Sequence, residues 1–146
     1  MSVYHGEIEI SGELLRPTCE DISDRVREHV RKSNIRDGIC VVYSHHTTCS
    51  VITQESSHDT NLWGTEYLQQ DLFNIMEKLV PSCRSEGQYL HPGPKHIEFA
   101  ENVAKEDGKY SLNTDAHLRS IFFGRSETIT INSGELSLGE FGYVYF

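Results

Sequence analysis

The sequence predicts a single α+β domain over residues 1–146, with a mostly antiparallel or mixed β-sheet and about three helices. The chain has 146 residues, of which 37% are hydrophobic and 24% charged, as in one globular domain. Apolar residues follow the period of a strand in some stretches and the period of a helix in others. Three short strand-like segments follow one another at the end of the chain, an arrangement that favours antiparallel pairing.

The first predicted elements are a strand and a helix. Residues 3–10 end in alternating apolar and polar positions, which predicts a strand. Thr18 is then predicted to cap a helix over residues 19–33, because acids follow it in the first turn. Apolar residues recur every four positions within this helix, at Ile22, Val26 and Val30.

A buried strand and a second helix follow. Residues 39–43 read Ile-Cys-Val-Val-Tyr and predict a buried strand, which residues 47–54 either continue or pair with. Leucine and isoleucine at helical spacing predict a helix over 62–80 that ends before Pro81.

The second half of the chain begins with a long irregular segment. Residues 81–113 are rich in proline and glycine, with a short helix predicted over 95–104. Loops of this length are uncommon inside compact domains and are often functional. Thr114 is predicted to cap a further helix over 115–123, which Gly124 closes.

The tail predicts three strands, over residues 127–132, 135–138 and 140–146, with turns at Ser133-Gly134 and Gly139. The last strand is apolar on both faces. We therefore expect it to be central in a sheet or to be covered by another subunit.

Composition excludes several classes of function. The net charge of −9 argues against a nucleic-acid-binding protein, because phosphate backbones are held by clustered lysine and arginine. No apolar run approaches the length of about 20 residues that a membrane-spanning helix needs. The N-terminus lacks the pattern of a signal peptide, so we expect a cytoplasmic protein whose four cysteines, without a C-x-x-C pair, are free thiols.

Polar residues end the buried strand in the stretch Ser-His-His-Thr-Thr-Cys. Adjacent side chains on an extended chain point to opposite faces, so one of His45 and His46 can serve a given site. His46 shares its face with Thr48 and a serine, and we choose it as the candidate; Thr47 and Thr48 could contact an anionic ligand. The alternative interpretation is a strand end with ordinary turn chemistry.

A second candidate region opens the helix after Thr114. Its first turn offers free N–H groups and the positive end of the helix dipole, which suits a phosphate or a metal-bound anion held by Asn113 and Thr114. His117 lies in this turn, and His91 and His96 lie in the long loop before it. Without a ligand, the same residues describe a capped helix with a polar first turn.

Two acids complete the candidate set. Glu55 follows the second predicted strand and Asp71 lies on the second predicted helix, where either could orient a histidine or transfer a proton. The sequence contains no H-E-x-x-H, G-x-S-x-G or P-loop motif. Three imidazoles from separate segments can nevertheless bind zinc with an open position.

The ordered set of motifs resembles the YjbQ-like family, also called the secondary thiamine-phosphate synthase family. The resemblance runs from about residue 4 to the end of the chain. The matching residues are His46-Thr47-Thr48, Glu55, Asp71-Leu72, Leu79-Val80-Pro81, Tyr89-x-His91, Asn113-x-x-Ala116-His117-Leu118 and Gly134-x-Leu136-x-Leu138-Gly139.

The resemblance implies a sandwich-like α+β fold that assembles as a homotrimer with pockets at or near subunit contacts. It also implies a divalent metal ion on His46, His91 and His117, with Glu55 and Asp71 nearby, and zinc is the ion that we expect there. Gly134 belongs to the matched motifs and is a further candidate for substrate binding. The implied activity joins hydroxymethylpyrimidine diphosphate to thiazole phosphate, giving thiamine phosphate and pyrophosphate.

The sequence departs from the family pattern at three places. The segment between His91 and Asn113 is longer than usual, so His96 is a substitute for His91 as a ligand. Phe141 stands where the family usually has tryptophan, and no Asp-Gly tail follows Phe146, so we expect any pocket wall from that tail to be missing. A phosphate-ester hydrolase with metal-bound water, or a binding module for an anionic metabolite, are the alternative functions.

Overall fold

A computed structural model describes residues 2–13 and 16–146 of the protein. In chain order its elements are α1 (Ser23–Ser33), β1 (Gly38–Tyr43), β2 (Ile52–Glu55), α2 (Tyr67–Leu79), α3 (Pro94–Phe99), α4 (Thr114–Phe123), β3 (Ser126–Asn132), β4 (Glu135–Leu136) and β5 (Gly142–Tyr145). A π-helical turn at Ala100–Ala104 and a 3₁₀ turn at Gly108–Ser111 separate α3 from α4. The α+β prediction is confirmed, with four α-helices rather than about three in the described residues.

The strands form two antiparallel sheets. The first has the order β1-β3-β4, and the second pairs β2 with β5. The β1–β3 ladder runs from Gly38 opposite Ile131 to Tyr43 opposite Ser126. The predicted turn between β3 and β4 is confirmed, because Ser133 and Gly134 both have positive φ, at 55° and 89°. β4 is shorter than predicted and ends at Leu136.

The core lies between α1 and the two sheets. Its buried residues are Ile22, Val26, Val51, Ile129 and Val144. β5 was predicted to be central or covered by another subunit; it forms a two-stranded sheet with β2 and is hydrogen-bonded on both edges. One edge of β5 pairs with β2. Along its other edge, the Ile22 N–H donates to the Val144 carbonyl at 2.9 Å, and Glu20 and Phe146 exchange two backbone hydrogen bonds.

The predicted start of the first helix is wrong. α1 begins at Ser23 rather than after Thr18, because the Asp21 carboxylate accepts the Ser23 N–H at 2.8 Å and residues around Glu20 pair with the last strand instead. Val26 and Val30 are buried on the inner face of α1, as the four-residue period predicted.

Two other boundaries also differ from the prediction. Residues 3–10 form no strand and pair with neither sheet; Ile8 and Ile10 pack on the core, and the Tyr4 hydroxyl lies 2.9 Å from Nδ1 of His29. α2 begins at Tyr67 rather than at residue 62, because Asn61 Oδ1 accepts the N–H groups of Trp63 and Thr65 in a tight turn.

The length and polarity of the helices decide whether any of them could span a membrane. Within residues 2–13 and 16–146, every helix is too short or too polar to cross a bilayer.

Candidate functional site

Three histidine rings from the loop, α3 and α4 lie against one another. The ring centroids of His91 and His96 are 4.7 Å apart, and those of His91 and His117 are 5.6 Å apart. Both pairs meet edge to face. His91 and His117 are half-buried, whereas His96 is exposed. We call these three residues, together with His46, the imidazole group.

His91 carries a buried nitrogen without a partner. Its Nε2 atom is shielded from solvent and makes no hydrogen bond to any of the described residues. The side-chain oxygen of Asn113, at the start of α4, is also buried and also makes no hydrogen bond to the described residues. A buried polar atom left unpaired costs about 1–3 kcal/mol, so both atoms favour a bound cation, water or ligand group.

The surroundings of His117 favour its neutral form. Burial lowers the pKa of His117 below the ordinary 6.5, and positive charge on His91 would lower it further. A hydrogen bond with the backbone of Thr47 acts in the opposite direction, and charge on His46 or His96 again lowers the pKa. A neutral imidazole retains a nitrogen lone pair, which is the form that binds a metal ion.

His46 enters the group from the turn after β1. Its Nδ1 atom lies 2.7 Å from the Thr48 hydroxyl, and the Thr48 N–H lies at 3.4 Å from the same nitrogen. If Nδ1 donates to the hydroxyl, Nε2 keeps a lone pair for a metal ion. If Nδ1 accepts from Thr48, Nε2 carries the proton and can donate to a phosphate oxygen.

The predicted anion-binding threonines contact histidines in this structure. The backbone of Thr47 acts on the His117 ring by raising its pKa, and the Thr48 hydroxyl bonds to the His46 ring. The Thr114 hydroxyl donates to the backbone carbonyl of His91, so its proton is not available to an anion. The helix begins at Thr114 with Asn113 at the N-cap, one residue earlier than predicted.

Three predicted site residues make no hydrogen bond or ion pair with the imidazole group in the part of the chain that the structure describes. Glu55 and Asp71 are exposed, and within the described residues neither carboxylate makes a hydrogen bond or an ion pair with a histidine. Gly134 lies at the opposite end of the β1–β3 ladder from His46, where its N–H donates to Arg36. Their functional roles remain predictions.

A metal site at the imidazole group stays a prediction. In residues 2–13 and 16–146, no three histidine, cysteine or acidic side chains are already arranged to hold a metal ion. The donor chemistry still fits one, because His91 Nε2 is unpaired and the nearby donors are imidazoles, which suit zinc. His46 and His96 are exposed, and exposed side chains change rotamer within nanoseconds.

A cavity adjoins one side of the group. It has a volume of about 520 Å³ and lies between residues 4–10, α1 and β1. His46 lines it, but the other three members of the imidazole group do not. Cys49, close to His46 in sequence, is a half-buried thiol whose pKa is raised by burial, which makes it a poor nucleophile.

Sequence reasoning missed how the loop is attached to α4. The bond from Thr114 to the His91 carbonyl and the bonds of Arg119 to Glu77 and Val80 join segments far apart in the chain. The spacing of Asp115 and Arg119 by four residues was visible in the sequence. This spacing predicts an ion pair within the helix, but it does not predict that Arg119 bonds to Glu77 and Val80.

Comparison with known proteins identifies the relatives of this chain. The model of the family described as UPF0047 protein YjbQ-like matches residues 8–146. The chain is 31% identical over 126 residues to a UPF0047 protein of Archaeoglobus fulgidus, covering 86% of this chain and 76% of that protein. It is 25% identical over 131 residues to a UPF0047 protein of Methanocaldococcus jannaschii, covering 90% and 75%.

Solved structures agree on the fold. A YjbQ/UPF0047 protein of Clostridium acetobutylicum superposes with a TM-score of 0.64 at 23% identity, over 88% of this chain and 78% of the other. A YbjQ-like protein of unknown function from Sulfolobus solfataricus gives 0.62 at 23% identity, over 88% and 73%. The ordered motifs, the match over residues 8–146 and the shared fold together establish that this chain belongs to the UPF0047, YjbQ-like family.

Proposed function

We propose that the imidazole group binds a divalent metal ion, zinc in the first instance, together with a small phosphorylated substrate. The unpaired buried Nε2 of His91 is the observation that carries this proposal. The rings of His96 and His117 both meet the His91 ring edge to face. The lowered pKa of His117 keeps the His117 ring neutral near pH 7. A cation beside them would satisfy the orphaned nitrogen.

The reaction proposed is that of a secondary thiamine-phosphate synthase, in which a thiazole nitrogen displaces diphosphate from the methylene carbon of hydroxymethylpyrimidine diphosphate. A bound divalent ion would neutralise charge that develops on the departing diphosphate. Donors from this chain would add to that stabilisation. The candidate donors are the free N–H groups in the first turn of α4 and the Nε2–H group of His46, in the tautomer whose Nε2 carries the proton.

The protein's own residues orient the imidazoles for this role. Thr48 bonds to the His46 ring, and Thr114 holds the backbone of His91. Hydrogen bonds of this kind set the tautomer and direction of metal ligands. The Asn113 oxygen, buried and unpaired, would accept a hydrogen bond from a substrate N–H or O–H group.

The exposure of Glu55 and Asp71 favours a second candidate, binding without turnover. Neither carboxylate is hydrogen-bonded to an imidazole in the described residues, so no acid of this pair is positioned as a general base by such a bond. Such a site could bind a metal ion and an anionic metabolite and transform neither. A phosphate-ester hydrolase would in addition need water positioned for attack.

One set of assays separates these functions. Protein purified without an affinity tag is analysed for metal content, titrated with Zn²⁺, and then given hydroxymethylpyrimidine diphosphate with and without thiazole phosphate. Thiamine phosphate formation that is lost in His91→Ala and His117→Ala but kept in the exposed-loop control His58→Ala supports the transferase. Phosphate release without the thiazole supports a hydrolase, and metal binding without any turnover supports the binding module.

The homotrimer is part of the proposal. The face of β1 that points away from the core exposes Ile39, Val41 and Tyr43, whose exposed fractions are 65%, 62% and 51%. We call these three residues the outer face of β1. An apolar surface of this kind on an edge strand is suited to contact with a second copy of the chain.

A further inference from the structure

The loop that carries His91 is bonded to α4 at both ends. At its beginning, the Val80 carbonyl accepts two hydrogen bonds from Arg119, from Nη2 at 2.6 Å and from Nε at 3.1 Å. At its end, the His91 carbonyl accepts the hydrogen bond from the Thr114 hydroxyl. Since Arg119 and Thr114 lie on the same helix as His117, α4 sets where His91 lies relative to His117.

Arg119 is held by more than the loop. Its side chain is only 13% exposed, and Nη2 also donates to a carboxylate oxygen of Glu77 at 2.7 Å. The same carboxylate accepts the Ser82 hydroxyl at 2.6 Å. Within the loop, Gln88 donates to the Ser82 carbonyl at 2.7 Å. These bonds link the end of α2, the loop and α4 into one hydrogen-bonded unit.

The guanidinium group is unsuited to binding the substrate itself. Its donors are directed at Val80, Glu77 and Ser82, and Asp115 lies 3.8 Å from Nη1. Two positions along a helix rotate a side chain by roughly 200°, so Arg119 and His117 extend from different faces of α4. A phosphate would have to displace the Glu77 carboxylate to reach it.

We propose that Arg119 is a positioning residue that sets the separation of the His91 and His117 rings through its bonds to the Val80–Ser82 segment. Its importance for ligand binding rests on the proposed function of the imidazole group. A planar guanidinium donates along several fixed directions at once, which neither methionine nor lysine reproduces. Loss of Arg119 therefore releases the first end of the loop, while Thr114 still holds the second.

The test compares Arg119→Met, Arg119→Lys and Glu77→Gln with the wild-type protein. Arg27→Met is the matched control, because Arg27 forms a surface ion pair with Asp24, whose side chain is 95% exposed. Two measurements are made on each folded protein. The first is the nuclear Overhauser effect between the ring protons of His91 and His117, and the second is Co²⁺ affinity followed by visible absorption.

We expect Arg119→Met to lose the ring-to-ring signal and to bind Co²⁺ about 10-fold more weakly, in the range found for residues that orient metal ligands. Arg119→Lys should fall between Arg119→Met and the wild type, and the control should match the wild type. A ring-to-ring signal and a Co²⁺ affinity in Arg119→Met equal to those of the wild type would overturn the proposal.

Two further outcomes are decisive. If Arg119→Met does not fold, Glu77→Gln decides: a weakened ring-to-ring signal supports the proposal, and an unchanged signal overturns it. If the wild-type protein binds no Co²⁺, the metal-based function fails, but the ring-to-ring signal in the variants still tests whether Arg119 positions the histidines.

Discussion

The His117 ring meets the His91 ring edge to face, with an interplanar angle of 85° and centroids 5.6 Å apart. One ring extends from the first turn of α4 and the other from the loop that precedes α3. Two imidazoles this close repel each other when both are positively charged, so protonation is coupled to the local fold, and the proposed metal binding would be coupled to both.

That coupling predicts a pH dependence for the metal-free protein. The pKa of His117 lies below its ordinary 6.5 in the folded state, mainly because of burial, so the unfolded chain binds more protons just below that pH. The contribution of His117 to folding stability is constant above pH 6.5. Folding stability falls as the pH drops through 6.5 towards the pKa of His117 in the folded protein. Urea midpoints measured between about pH 5 and 7.5 in EDTA should show this decline.

The variant His117→Gln should reduce the decline, because glutamine does not titrate, whereas His58→Ala should retain it. Equal slopes of stability against pH in His117→Gln and the wild type would show that His117 does not contribute in this range.

Glu77 predicts a second, more acidic transition. Hydrogen bonds from the hydroxyl and N–H of Ser82, with a contribution from Arg119, lower the pKa of Glu77 from 4.5 to about 2. A carboxylate with a lowered pKa stabilises the fold above 4.5, and this stabilisation is lost as pH falls towards 2. Glu77→Gln should therefore be less stable than the wild type at pH 6 and should lose less stability on acidification.

Unfolding in urea at about pH 6 and pH 3 measures the effect, with Asp24→Asn as an exposed control that should follow the wild type. If Glu77→Gln and the wild type lose equal stability between these pH values, the bonds from Ser82 do not carry the effect.

Local sequence patterns predicted much of the fold. β1, β3 and α4 lie within about a residue of their predicted bounds, because apolar periodicity and turn residues such as Ser133 and Gly134 act over a few positions. The strand predicted at 3–10 failed for a physical reason. Alternation determines which face of a segment is apolar, but a strand also needs a backbone partner, and that partner is not encoded locally.

The site was predictable by residue type and only partly by arrangement. The sequence predicts His91, His96 and His117 as candidate imidazoles in a loop and at a helix start, and the structure brings their rings together. The roles of Thr114 and Arg119 depend on bonds between distant segments, which no local pattern carries. Glu55 and Asp71 are candidates because they are acids near predicted element ends. Whether either carboxylate reaches a histidine depends on how whole helices and strands pack, which a local pattern does not determine.

Gly142 is predicted to be essential for the turn into β5. A Cβ atom at this position would lie 2.1 Å from the Leu138 carbonyl oxygen, which is backbone and cannot move aside cheaply. Gly142→Ala should therefore destabilise the protein by about 1–3 kcal/mol, as other overpacked sites do. Thermal unfolding measures the difference. Gly12→Ala is the matched control, because the nearest atom to its added Cβ would be 4.0 Å away.

That control should stay within about 0.5 kcal/mol of the wild type. A melting temperature for Gly142→Ala equal to that of Gly12→Ala would show that the chain relaxes around Leu138 at little cost.

The outer face of β1 gives a test of the homotrimer. Val41 is 62% exposed and lies between Ile39 and Tyr43 on this face, so in an assembly that buries it a lysine would place a charge in an apolar contact. We expect the wild-type protein to sediment at three times its chain mass of 16.7 kDa, and Val41→Lys to sediment as a monomer. Val103→Lys is the control, because Val103 is 64% exposed but lies in the π-helical turn after α3 rather than on β1.

Sedimentation velocity at several protein concentrations distinguishes the outcomes, and circular dichroism confirms that each variant is folded. A wild-type protein that is monomeric at every concentration would contradict the homotrimer. A Val41→Lys protein that stays trimeric would instead move the interface to another exposed apolar surface. The face of α2 that exposes Ile75 and Leu79, each 59% exposed, would be the next to test.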